Sequence, residues 1–116
     1  MASQLLNFKP GVEQEDARWP IQTPADGAVL KPIGGIVMLG TGVDVTLTPK
    51  LGQTYIFHCT DSTADATVTL AGGFVWDASS NDIATFDATG DILMVVFGTT
   101  TATVIANPGA LAFSGA

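Results

Sequence analysis

Residues 35–59 read GIVMLGTGVDVTLTPKLGQTYIFHC, and this stretch decides the fold class. Val43, Val45 and Leu47 alternate with Asp44, Thr46 and Thr48, a period of two that puts one set on each face of a strand. Gly40-Thr41-Gly42 precedes the alternation, and Pro49 and Gly52 follow it. Ile36–Leu39, the alternating run and Thr54–Cys59 therefore read as three short strands divided by turn residues.

The same rhythm continues to the C-terminus. Ala66–Leu70 alternates and stops at Gly72-Gly73, and Phe74–Trp76 runs into the polar cluster Asp77–Asp82. Ile83–Phe86 ends at Asp87–Asp91, the apolar run Ile92–Phe97 follows, and Thr101–Ala106 and Ala110–Phe113 complete the set. About eight or nine strands at spacings of roughly 8–12 residues predict an all-β fold, an antiparallel β-sandwich of jelly-roll-like or related form. No window carries helical periodicity.

Upstream the character changes. Pro10, Pro20, Pro24 and Pro32 fall within the first 33 residues. Proline removes a backbone donor and drives its predecessor toward extended conformations, so neither a long helix nor a central strand is expected there. The segment still carries Leu5, Leu6, Phe8, Trp19, Ile21, Val29 and Leu30, too much apolar surface for a solvated linker. Residues 1–34 thus read as an extended arm that lies against something, and residues 35–116 as the sandwich. One helical turn fits over Val12–Arg18, although Glu13-Gln14-Glu15-Asp16 reads more simply as a solvated patch.

A chain of 116 residues holds one domain. Its 47% apolar content argues against disorder over most of its length. The longest apolar run, Ile92–Phe97, is far too short for a membrane span, and no secretory leader is visible. Cys59 is the only cysteine, which rules out an internal disulfide. The net charge of −7 argues against neutralising the phosphates of a nucleic acid. Lys9, Arg18, Lys31 and Lys50 are the only basic residues, so residues 51–116 have aspartates but no cation to pair them with.

Two strands look too apolar for a lone sandwich, in which each strand has one wet face. Ile92–Phe97 has no polar residue on either face, and Tyr55–Cys59 has only His58. A second subunit is expected to cover the excess, with Tyr55, Phe57, Ile92, Met94 and Val96 at the interface. Closed symmetry would also protect strand edges that lack lysine.

Chemistry is sparse. His58 adjoins Cys59, but neighbours on a strand point to opposite faces and cannot act as base and nucleophile. No nucleotide-binding, zinc-protease or serine-hydrolase motif occurs. Asp61 with Asp65, or Asp77 with Asp82, could supply calcium ligands or a carboxylate pair for glycoside hydrolysis. Both pairs sit in turns, where aspartate is favoured for local hydrogen bonding, so solvated turn residues are the simpler reading. No enzymatic activity, metal or cofactor is expected.

Gly52–Tyr55, Thr67–Leu70, Trp76-Asp77 with Asn81, Ala84–Asp91 and Thr99–Asn107 together resemble small virion proteins of tailed bacteriophages that decorate capsids or form fibre knobs. The resemblance spans about residues 45–114. It implies a β-sandwich trimer on the capsid exterior, with the major capsid protein and further copies of the chain as partners. It also implies that the arm grips the shell, through Leu5, Leu6, Phe8, Lys9, Arg18, Trp19 and Ile21. Nothing catalytic carries over. The rival reading is a receptor- or glycan-binding knob, with Trp76 and the aspartate loops as its recognition surface, and a minor hydrolase with an aspartate pair stands third.

Overall fold

The computed structural model describes residues 19–115. The strands are β1 (Ile21–Gln22), β2 (Gly35–Leu39), β3 (Asp44–Leu47), β4 (Thr54–Cys59) and β5 (Ala66–Leu70), then β6 (Ile83–Phe86), β7 (Ile92–Phe97), β8 (Ala102–Ala106) and β9 (Ala112–Ser114). Among the described residues there is no helix. The strands form a five-stranded sheet ordered β1-β2-β4-β7-β8 and a four-stranded sheet ordered β3-β5-β6-β9.

Both sheets are mixed, which corrects the antiparallel expectation. β1 is parallel to β2, β2 to β4 and β3 to β5, while the remaining neighbours are antiparallel. The cause lies in the connections. Strand β2 does not fold back as a hairpin; residues 40–43 arch across to the opposite sheet, where β3 begins, and residues 48–53 return the chain to β4. A strand reached by a full circuit runs in its predecessor's direction. The chain from β1 to β5 therefore winds like a coil. Its first turn is β1 plus Val29, which bridges in parallel to Thr46. Successive arches stack: the Gly42 amide donates to the Ala64 carbonyl at 3.0 Å, and the Ala64 amide donates to Thr41 Oγ1 at 2.7 Å. Strands β6–β9 then close the layers with antiparallel pairings.

The expected boundary at residue 34 also moves. The described part of the arm lies on the sandwich rather than apart from it. β1 extends the five-stranded sheet, Leu30 is buried in the core, and its amide donates to the Thr46 carbonyl at 2.8 Å. Gly35 makes the first turn fit. Its φ of 93° suits glycine, and a Cβ there would overlap the Pro20 carbonyl oxygen, which accepts the Ile36 amide at 2.8 Å. Leu5, Leu6, Phe8, Lys9, Arg18 and the helical turn weighed for Val12–Arg18 lie outside the described residues.

The core fills the space between the sheets. Val37, Leu39, Tyr55, Phe57, Leu93, Val95 and Phe97 face inward from one sheet, opposite Val45, Leu47, Val68, Leu70, Ala84 and Phe86 from the other. Trp76, from the long β5–β6 connection, plugs the end of this layer. It stacks on Phe113 at 5.8 Å, meets Phe57 edge-on at 5.7 Å and donates its indole N–H to the Val68 carbonyl at 3.2 Å. Tyr55 and Phe57 have no exposed surface. They are core residues, which corrects their assignment to an intersubunit interface. The Tyr55 hydroxyl donates to Gln53 Oε1 at 2.7 Å, and burial pushes its pKa up.

Candidate functional surface

Of the residues singled out for chemistry, Cys59, Asp61 and Asp77 are occupied with structure, whereas Oδ1 of Asp82 is buried without a hydrogen-bond partner. His58 faces outward from β4, and Cys59 is fully buried on the other side. The Cys59 thiol donates to the Asp61 carbonyl at 3.6 Å, and burial raises its pKa, so it is a poor nucleophile. Asp61 accepts the Thr63 amide at 3.0 Å and the Thr63 hydroxyl at 2.9 Å, and these bonds hold its carboxyl below the ordinary value. Asp77 accepts from the Ser79 and Asn81 amides and, at 3.0 Å, from Asn81 Nδ2. The Asn81 side chain is the main reason its pKa is also lowered. Both are turn-building carboxylates. Among the described residues no three His, Cys, Asp or Glu side chains gather as a metal cluster. Trp76 is 1% exposed, which corrects its place on a sugar-recognition surface.

The outward faces of the two sheets differ sharply. On the four-stranded sheet, cross-strand rows read Asp44–Thr67–Thr85–Ala112 and Thr46–Thr69–Ile83–Ser114, a surface built largely of threonine. On the five-stranded sheet the central row is Ile21–Ile36–Ile56–Met94–Ala106, aliphatic across all five strands. Met38–His58–Ile92 runs on one side of it and Thr54–Val96–Thr103 on the other. Ile92, Met94 and Val96, expected at an interface, do share this outward face. Ile92 is exposed, and Met94 and Val96 are half-buried. The partners that reading the sequence missed are Ile36, Met38 and Ile56. The signal was available: on β4 the larger aromatic set, Tyr55 and Phe57, belongs in the core, leaving Ile56 and His58 outside.

A second apolar feature is the margin of the first turn. Trp19 is 46% exposed, Ile21 62% and Val29 75%. Ile21, Pro24, Val29, Leu30 and Ile33 line a shallow groove of about 320 Å³ between the two layers. Trp19, Pro20, Ile33, Gln53 and Thr54 line a neighbouring one of about 250 Å³. The two described members of the predicted shell-binding set, Trp19 and Ile21, thus lie at one margin, where residues 1–18 lead in.

Charge is polarised along the strands. The strand directions bring the connections 23–28, 40–43, 60–65, 87–91 and 107–111 to one end of the sandwich. Among the described residues, that end carries Asp26, Asp44, Asp61, Asp65, Asp87 and Asp91 and no lysine or arginine. At the other end Lys31 and Lys50 balance Asp77 and Asp82. The acidic connections are tied together: Ser62 and Thr89 hydroxyls lie 3.1 Å apart, the Asp44 amide donates to Asp26 at 2.9 Å, and Asp91 accepts the Ala88 amide at 3.1 Å.

Comparison with protein-family models, with curated proteins and with solved structures finds no match to this chain.

Proposed function

We propose that this chain is a non-enzymatic structural protein of a bacteriophage virion, one that decorates the capsid exterior and stabilises it as an oligomer. In this reading the leading residues, Leu5, Leu6, Phe8, Lys9 and Arg18 together with Trp19 and Ile21, grip the major capsid protein. The observation that carries the reading is the exposed apolar margin of the first turn. Trp19, Ile21, Val29 and Ile33 form an exposed apolar strip beside the edge strand β1, next to the point where residue 18 joins. An extended strip beside a strand edge suits docking by strand addition to a larger host surface. The welded loops and aromatic core fit a component that must resist unfolding outside cells.

The test is co-sedimentation with undecorated shells. The full chain should pellet with shells to saturation. A version lacking residues 2–18, which retains both sheets, should remain folded and stay in the supernatant. Equal binding by both versions would refute the gripping role of the leader, and no binding by the full chain would refute the decoration role.

A further inference from the structure

We infer that the outward aliphatic face of the five-stranded sheet is covered by a second copy of this chain, stacked face to face and inverted. This pairing is independent of the shell-binding role. Three observations select the occupant and its orientation.

First, the face carries no Asp, Glu, Lys or Arg in its cross-strand rows, and its ladders keep register except for one bulge between Met94 and Val95. Ile36, Met38, Ile56, Ile92, Met94 and Val96 offer aliphatic contact, and polar side chains (His58, Thr54, Thr103) enter only the flanking rows. The facing sheet of an identical copy is apolar to the same extent, and two such faces pack about 10 Å apart with side chains interdigitated. The threonine face on the other side of the molecule shows what this sequence places against water.

Second, the area suffices. Five strands at about 4.8 Å and five residues at about 3.3 Å give a footprint of roughly 400 Å². Two copies then bury about 800 Å² of flat projection, and side-chain relief brings the accessible area near the lower edge of specific interfaces, about 1,200 Å².

Third, charge decides the direction. A parallel stack would set the six-aspartate end of one copy beside that of the other. Inversion sets it beside the end where Lys31 and Lys50 offset Asp77 and Asp82. The axis then passes near Ile56, the middle residue of the central strand, and brings Ile92 of one copy opposite Val96 of the other. The two copies of Trp19 then lie at opposite ends of the pair.

Mass photometry and sedimentation velocity of the full chain test the proposal. The expected species is a dimer at tens of micromolar that dissociates on dilution. Met94→Lys should weaken it at least about tenfold by burying an unpaired charge. Thr69→Lys, on the outward face of the other sheet, should leave it unchanged. Crosslinking covers the case in which Met94→Lys fails to fold. Ile92→Cys mixed with Val96→Cys should form a disulfide-linked pair, and Ile92→Cys mixed with Met38→Cys should not. A monomer at all concentrations, a trimer, or crosslinking through Met38→Cys would each overturn the inverted pair. So would a full-length monomer that dimerises only after residues 2–18 are removed, because the chain's own leader would then be the cover.

Discussion

Phe57 and Ile56 are neighbours on β4 with opposite destinations, and exchanging each in turn tests the assignment of faces. Phe57 has no exposed surface and contacts three aromatic rings, Tyr55 at 5.7 Å, Trp76 at 5.7 Å and Phe86 at 6.3 Å. Phe57→Ala removes a phenyl ring from the middle of this cluster, and the two sheets, fixed by their ladders, can close the cavity only in part. The loss should be about 3–5 kcal/mol. A domain of this size has a total stability of about 5–15 kcal/mol, so the variant should be near the limit of folding. Its melting temperature should fall by at least about 12 °C. Ile56→Thr, by contrast, alters a half-buried outward side chain on a β-favoured residue and should cost less than about 1 kcal/mol at submicromolar protein. Urea unfolding followed by tryptophan fluorescence measures both. A cost below about 1 kcal/mol for Phe57→Ala, or equal costs for the two variants, would refute the inward and outward assignment on which the surface rests.

Gly35→Ala should destabilise the protein by about 1–3 kcal/mol, because the left-handed backbone and the Pro20 carbonyl both oppose a Cβ; thermal unfolding beside Gly73→Ala, whose Cβ meets open space, isolates the steric part. Asp61 and Asp77 have native pKa values lowered by hydrogen bonds, so their stabilisation is present above the unfolded value of about 3.9 and drains away as pH falls through the lower native values. Asp77→Asn turns a donor toward Asn81 Nδ2, and its stability deficit in urea titrations should therefore be larger at pH 7 than at pH 2.5.

The strands were legible because alternation survives any topology. Val43, Val45 and Leu47 read as one buried face before the partner strands were known, and they are buried. Parallel pairing was not legible. Gly40-Thr41-Gly42 is as suitable for a hairpin as for an arch, and what separates the two is whether the next strand pairs with β2 or crosses the layer, a long-range outcome. The place of residues 19–34 on the sandwich is not legible for a related reason. Proline excludes a helix and a central strand, but Pro20 and Pro24 flank a two-residue edge strand comfortably, and Leu30 had no visible partner until β3 came beside it. The aliphatic surface was half legible: Ile92, Met94 and Val96 stood out as an excess, whereas Ile36 and Ile56 join them only through the cross-strand register.

The strand directions have a practical corollary for protein display. Trp19 enters and Ser114 leaves at the same end of the sandwich, near Lys31 and Lys50. A passenger fused after residue 116 would therefore sit on the side of the exposed Trp19 margin. Grafted into the Thr60–Asp65 connection, at the far end, the same passenger would project away from that margin.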